Sequence, residues 1–432
     1  MPVKIAIIGG GAKAAAIAAR SHCIELARKE KGSKSIPPAP EITIFEQRAI
    51  GSGWTGAAGY TDGAQRLCTA IERDLGFPYT SKHPKLDELM LKHFSWHSFR
   101  QSEKTYQRWI DEGRKPPRHS LFSRYLKWAT TASECDVVIA EVKGCKAHEG
   151  KWRIKIQGKE DSRGRFYREE FDGLVITGPG PANRITRTGS PRNFFTGQDF
   201  WSRLGEVRRC LKQLAKDTEA EIAIIGAGGT AAAILAWLIR NGQQDRIIRL
   251  VADQPAFFTR GDSVFENSLF NDDTAWGDLS NETRIAFTTR LNRGVVWQSV
   301  MSQLEEATGL RFVEGMAKSV SFGNTIKVLV EPTAKDKMKF HLQPGMVIDA
   351  SGFDATWFSR LLEPNNFPEG TPRDLRKWIA ERVDASLQIS DPALGLPNIH
   401  VPGLADLQGP GFGSLMSLGG MAQRVLMGYW DP

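Results

Sequence analysis

The sequence predicts an α/β fold made of two strand–glycine turn–helix units, and three observations carry that expectation. The first is the apolar run Lys4-Ile5-Ala6-Ile7-Ile8, closed by Gly9-Gly10-Gly11 and followed by an alanine-rich helix from Ala12 towards Glu30. The second is Glu41-Ile42-Thr43-Ile44-Phe45-Glu46, a strand that ends in an acid. The third is Glu221-Ile222-Ala223-Ile224-Ile225-Gly226-Ala227-Gly228-Gly229-Thr230-Ala231, which repeats the whole pattern. Such units are Rossmann-like: the first glycine makes the tight turn, the second lets backbone approach a pyrophosphate, and the third small residue lets helix and strand pack closely. The helix N-terminus then faces the phosphates. Gly9, Gly11 and Ala14 fill these places in the first unit, with Glu46 placed to bind a ribose hydroxyl. Two units in one chain predict two dinucleotides.

A chain of 432 residues holds two or three domains with substantial cores. With 41% hydrophobic and 25% charged residues it reads as an ordinary globular protein. No apolar run approaches the roughly 20 residues that span a bilayer, and the first apolar run is already spent on a strand, so we expect no membrane association and a cytoplasmic location. The net charge of +8 admits nucleic acid as a partner. Its basic residues are spread along the chain without interleaved aromatics, and we expect no nucleic-acid binding. Cys23, Cys68, Cys135, Cys145 and Cys210 form no C-x-x-C or C-x-x-x-x-C pair. That argues against a disulfide framework, a metal knuckle and a flavin-linked disulfide reductase. The oligomeric state is left open, a homo-oligomer included.

Taken in order, residues 31–40 are a proline-broken linker, and residues 51–79 form a glycine-rich loop of a length that tends to be functional. Residues 83–130 read as mostly helical, a small substructure. His93, His97 and His119 within it lack partners at metal-ligand spacing. Strands are expected at 136–142, 152–156 and 173–178, the first two making an antiparallel meander around 143–151. Residues 181–200 read as a linker, and Leu204, Val207, Leu211 and Leu214 lie on one helical face. The second unit runs from Ile222 to a strand at 247–252 that ends in Ala252 where the first unit has Glu46. That missing acid, with Arg249 and Arg260 near by, favours the 2′-phosphate of NADP, although Asp253 follows at once. Residues 281–318 read as helical, and strands are expected at 327–331 and 346–352. The last resembles the 173–178 strand and is expected to return the chain to the first domain. The expected organisation is therefore a first domain from 1–190 and 346–432, with the helical region 83–130, and a second domain of 191–345 inserted in it.

Beyond the two glycine loops, the chain resembles the flavin-dependent N-hydroxylating monooxygenases of siderophore biosynthesis, most of all the lysine hydroxylases of mycobactin and nocobactin assembly. The stretches that carry the resemblance are residues 59–67 (GYTDGAQRL), 74–79 (DLGFPY), 176–180 (ITGPG), 258–262 (FTRGD), 265–270 (FENSLF) and 408–412 (QGPGF). It covers nearly the whole chain. It implies FAD at Gly9, Gly11, Ala14 and Glu46, with Trp54 beside the flavin and Ser414, Leu415 and Met416 beneath it. NADPH would lie at Gly226, Gly228 and Thr230. Asn267, Ser417 and, by a looser match, Asn292 would hold the substrate.

Three positions depart from the family. Its basic residue before Asp-Leu, usually lysine and placed on the substrate carboxylate, is Arg73 here, a planar fork in place of a point charge. Cys68 stands where many members have glutamine, with Gln65 near, and Gly229 replaces the glutamine usual in the second loop. The implied reaction uses NADPH, O2 and a flavin C4a-hydroperoxide to hydroxylate the side-chain amine of L-lysine or L-ornithine, with no side-chain nucleophile. Other readings are oxidation of a diamine, an acylated lysine or a sulfur compound, or nucleotide binding without catalysis.

Overall fold

Two parallel five-stranded sheets, one for each glycine loop, form the frame of the computed structural model. It describes residues 2–31, 36–56, 60–158, 164–186, 191–217, 219–260, 262–291, 295–334, 336–363 and 367–430. The first sheet has the order Asn398–His400, Gly173–Ile176, Lys4–Ile8, Glu41–Glu46 and Asp136–Ile139. The second has the order Leu310–Glu314, Ile248–Ala252, Ile222–Ile225, Met346–Asp349 and Phe194–Thr196. The apolar runs form these strands because both faces of the sheets are covered: in the second sheet Ile222, Ile224 and Ile348 pack on the Gly229–Arg240 helix, while Ala223, Ile225 and Val347 pack on Val320, Val328 and Val330 of a small antiparallel sheet, and every residue of Ile222–Ile225 and Met346–Asp349 is buried. In the Ala12–Lys31 helix, Ala14, Ala15, Ala16 and Ala19 are fully buried, so the helix axis approaches the sheet closely.

The strand Met346–Asp349 pairs with Ile222–Ile225 and with Phe194–Thr196, not with the first sheet. That corrects the expected return of the chain at 346. The hydrophobic cores divide in the same way. One gathers residues between Ile5 and Ile176 together with those from Phe358 to Trp430. The others draw only on residues between Ile185 and Ala350. The divisions fall near 183 and 352, where the two connecting segments lie side by side. Ala182 bridges Phe353 antiparallel, the Asn183 N–H donates to Gly352 O (2.9 Å), and the Asp354 N–H donates to Pro181 O (3.0 Å).

Smaller elements complete the fold. The helical region is four helices, Pro84–Phe94, Trp96–Ser102, Tyr106–Asp111 and His119–Ala132. Asp136–Ile139 joins the first sheet in parallel, and the meander is Glu141–His148, Lys151–Gln157 and Arg165–Phe171. Residues 143–148 are thus strand, not the expected loop. Among its described residues, the stretch 281–318 is helical at Asn281–Leu291 and Gln298–Leu304. Its remainder supplies the strands Val295–Trp297 and Leu310–Glu314 and the start of a second meander at Met316–Phe322. Residues 181–200, expected as linker, contain the strand Phe194–Thr196 and the helix Gly197–Ser202.

Candidate functional site

The three glycines of the first loop differ in what surrounds them. A Cβ on Gly9 (φ +103°) would stand 2.8 Å from Thr177 Oγ1, and one on Gly10 would stand 2.6 Å from Ile50 Cδ1. A Cβ on Gly11 would meet nothing within 4 Å. Gly11 therefore faces open space at the start of the Ala12–Lys31 helix, where the backbone can approach a ligand. Glu46 ends its strand beside this loop; its carboxylate accepts the Gly10 N–H (2.8 Å) and the Arg48 N–H (3.0 Å). These groups line a cavity of about 690 Å³ that runs past Trp54, Thr61, Ala140, Thr177–Pro181 and Leu415. Ala14 is fully buried between helix and sheet. The donor set, a glycine turn open at Gly11 and a helix N-terminus with an acid beside it, fits the pyrophosphate and ribose of a dinucleotide.

Lys13 is a site residue that spacing did not single out. Its ammonium donates to Gly413 O (2.8 Å) and ties the glycine loop to the C-terminal turn. Burial pushes it down to about 8, against the pull of Asp406. A cation in the first helical turn opposes the helix dipole, an arrangement that suits an anionic ligand. The signal was in the sequence: one lysine among six alanines, on a helix whose faces are almost all buried.

A second cavity, about 490 Å³, adjoins the first and shares Trp54, His119 and Leu415 with it. His119 packs edge-on against Trp54 and pairs through Nδ1 with Thr61 Oγ1 (2.9 Å). Burial lowers it to about 4, so the wall between the cavities carries no imidazolium at neutral pH. Ser414, Leu415 and Met416 all line the second cavity, and Thr69 Oγ1 donates to Met416 Sδ (3.7 Å). Ser417 is 2% exposed and lines neither cavity; it packs behind Met416 against Gly411 and Gly420.

Arg260 also lines this second cavity, which corrects its expected place at a nucleotide 2′-phosphate. Its Nη2 donates to Asn267 Oδ1 (3.0 Å), and its Nε lies 2.9 Å from Glu266 Oε1. The guanidinium carbon stands 4.1 Å from the Phe270 ring centre and 4.7 Å from that of Trp297. Asn267 reaches Asp262 as well (3.4 Å). Arg73 stands behind this wall: it donates to Thr69 Oγ1 (2.8 Å) and lies 3.8 Å from Asp262. The structure thus brings Arg73, Asn267 and Arg260 together. Asn292 lies outside the described residues.

At the second glycine loop, a Cβ on Gly226 (φ +97°) would stand 2.7 Å from Ala350 O, whereas one on Gly228 or Gly229 would meet nothing. The Gly229–Arg240 helix begins there, and Thr230 packs its methyl against Gly197. Open backbone at a helix N-terminus again fits a pyrophosphate. Arg249 is not part of this site. It sits near the start of the strand Ile248–Ala252, about 10 Å from the loop end at three residues of strand rise. There it pairs with both carboxylate oxygens of Glu221 (2.8 and 2.6 Å).

The family model described as L-lysine 6-monooxygenase/L-ornithine 5-monooxygenase matches residues 91–343. The L-lysine N6-monooxygenase MbtG of Mycobacterium sp. (strain MCS) is 32% identical over 442 residues, covering 99% of this chain and 95% of that protein. The structure of lysine monooxygenase NbtG from Nocardia farcinica is similar at 28% identity and a TM-score of 0.78, covering 98% of this chain and all of that one. The ornithine N-hydroxylase KtzI of Kutzneria sp. 744, solved with reduced FAD, NADP+ and L-ornithine, shares the fold at 18% identity and a TM-score of 0.69, over 99% of both chains.

Proposed function

The chain belongs to the L-lysine 6-monooxygenase/L-ornithine 5-monooxygenase family, and from that premise we propose that it N-hydroxylates the side-chain amine of L-lysine or L-ornithine with FAD, NADPH and O2. One observation carries this reading. The cavity of the first glycine loop meets a second cavity at Trp54, His119 and Leu415, and the second cavity is lined by two guanidiniums, Arg260 and Arg376, the latter 3.5 Å from Asp406. An amino acid lying there would have its carboxylate near the cations and its amine directed to the shared wall.

In this reading Gly9, Gly11 and Glu46 hold FAD, with Trp54, Ser414, Leu415 and Met416 around its ring. Gly226, Gly228 and Thr230 hold NADPH. Bound FAD, reduced by NADPH, supplies with O2 the oxygen atom delivered to the amine. The residues supply orientation and a dry site. A lysine ε-amine ordinarily ionises near pKa 10.4 and is nucleophilic only when neutral. Leu67, Phe270, Leu291, Val295, Leu415 and Met416 line the second cavity with apolar surface, which disfavours the ammonium form. Neutral His119 adds no positive charge that would lower its pKa further, so desolvation dominates. Arg73 and Asn267 position the substrate through Thr69, Asp262 and Arg260. Ser417 supports the turn that carries Ser414–Met416.

The deciding experiment follows NADPH oxidation and hydroxylamine formation across L-lysine, L-ornithine, cadaverine and Nε-acetyl-lysine. Hydroxylamine from L-lysine or L-ornithine supports the proposal. NADPH oxidation that yields only hydrogen peroxide with every amine would refute it.

A further inference from the structure

Resting on that function, we propose that Asp406 is a further catalytic residue, the base that takes the proton the substrate's side-chain ammonium must lose before it accepts oxygen. Among the described residues that line the second cavity, Asp406 is the one carboxylate. The fold sets it there. The Pro402–Leu404 turn buries Pro402, Leu404 and Ala405, and the chain leaves it with Asp406 on the cavity wall. A Cβ on Gly413 would stand 3.2 Å from Asp406 Oδ1, so the carboxylate fills the space that a side chain at 413 would take. Gly413 O also accepts the Lys13 ammonium from the first cavity, and Leu415 on the shared wall is two residues on. Asp406 thus lies at the end of the second cavity nearest the first, the end towards which the amine is directed.

The charges around Asp406 leave it able to accept a proton. Arg376, on the Pro372–Ala380 helix, reaches it at 3.5 Å, beyond the roughly 2.7–2.9 Å of a charge-assisted hydrogen bond, and its side chain is 49% exposed. Arg260, the other guanidinium on this cavity, is met by Glu266 at 2.9 Å. His119 is neutral, and burial raises the Cys68 thiol, so neither adds charge. Burial also raises Asp406 above the ordinary carboxylate range, against the opposing pull of Arg376 and Lys13. In water a carboxylate of pKa about 3.9 does not deprotonate a lysine ammonium of about 10.4. A dry cavity raises the acid and lowers the amine, and proton transfer leaves two neutral groups among apolar walls.

The step balances. The N–H bond breaks, its electron pair stays on nitrogen, and the proton passes to an Asp406 oxygen. The neutral amine then forms the N–O bond. One ammonium, one O2 and one NADPH give one hydroxylamine, one water and one NADP+. The proton lent to Asp406 therefore leaves in that water, and the carboxylate is restored for the next turnover.

The test measures kcat/KM, by hydroxylamine formation on the FAD-loaded protein, across the neutral and alkaline range. The substrate is whichever of L-lysine and L-ornithine the wild type hydroxylates. Asp406→Asn should lower kcat/KM roughly 100-fold or more at neutral pH, the usual worth of a general base. Its value should then climb about tenfold per pH unit, because only the small fraction of free amine reacts, whereas the wild type levels off. Asp406→Glu should restore part of the rate. Flavin content and the rate of flavin reduction by NADPH should stay within about twofold, which a collapsed site would not allow. Arg376→Gln is the second arm and decides the matter if Asp406→Asn does not fold. It removes the cation beside the base, so the acid limb of kcat/KM should move up by about half a pH unit or more. Wild-type kcat/KM in Asp406→Asn, a loss that is the same at every pH, or an acid limb that Arg376→Gln leaves in place would each overturn the assignment. Wild-type protein that hydroxylates neither amino acid would instead overturn the proposed function, an outcome visible before any variant is made.

Discussion

The open space at Gly11 separates folding from cofactor binding. Gly11→Val introduces no clash, because a Cβ there meets nothing within 4 Å. The variant should therefore unfold within about 0.5 kcal/mol of the flavin-free wild type. It should nevertheless purify with little flavin, read from absorbance near 450 nm, since the side chain occupies the approach to the pyrophosphate. Full flavin occupancy would remove FAD from the first loop. Arg249 gives the opposite kind of test. Its pair with Glu221 is partly exposed, so Arg249→Ala should cost about 0.5 kcal/mol and leave the KM for NADPH unchanged. A rise in that KM would restore Arg249 to the nucleotide site. Glycine spacing and the acid at Glu46 were legible because turns and strand ends dictate residue type locally. The errors at Arg249 and Arg260 share one cause: nearness in sequence does not say which end of a parallel strand, or which cavity wall, a side chain reaches. Lys13 was missed because its partner, Gly413, is 400 residues away.

At the scale of elements, the long buried strands were legible, the short buried strand Phe194–Thr196 was not, and several half-exposed strands were hidden as well. Arg165–Phe171 (RFYREEF) carries four charged residues in seven, which hides a strand of an exposed meander. Asp136–Ile139 leaves Val137 and Ile139 partly exposed at the sheet edge, so its pattern suggested the neighbouring meander. The strand 346–349 was given to the wrong sheet because both units end in a strand running into a glycine turn. Its likeness to 173–176 reflects equivalent places in two sheets, not adjacency. A short element also repays a test. Thr196 and Asp199 form a reciprocal cap on the Gly197–Ser202 helix, whose Gln198 lines the larger cavity. Thr196→Ala should lose about 1 kcal/mol and lower the melting temperature of the second unit by about 2–4 °C. Calorimetry checks it; an unchanged melting temperature would show the cap to be redundant.

Across the whole molecule, one buried and one half-buried histidine shape the response to acid. His400 is fully buried; burial lowers it to about 4, and its ring bonds Ser386 O (2.8 Å) and Tyr429 Oη (2.6 Å). His119 is lowered to a similar value. Because the folded values lie below the ordinary 6.5, their stability is present above pH 6.5 and is lost as the pH falls towards 4, up to about 3 kcal/mol each. Asp74, raised by burial to about 6, works the other way: the folded state gains as the pH falls from about 6 to 3.8. The net result is a decline in stability below pH 6.5 that is shallower than two histidines alone would give. His400→Asn should flatten it by nearly one proton's slope, measured by urea denaturation between pH 7 and 5. An unchanged slope would mean that His400 does not titrate between its folded and unfolded states in that range.

The paired connectors at 181–183 and 352–354 have a consequence for how such a chain could have arisen. The inserted unit leaves and re-enters its host at neighbouring points, joined by a hydrogen bond from Asn183 to Gly352. A segment whose two ends already touch can be gained, exchanged or removed in one genetic step without reopening the host sheet, as a drawer slides from its frame.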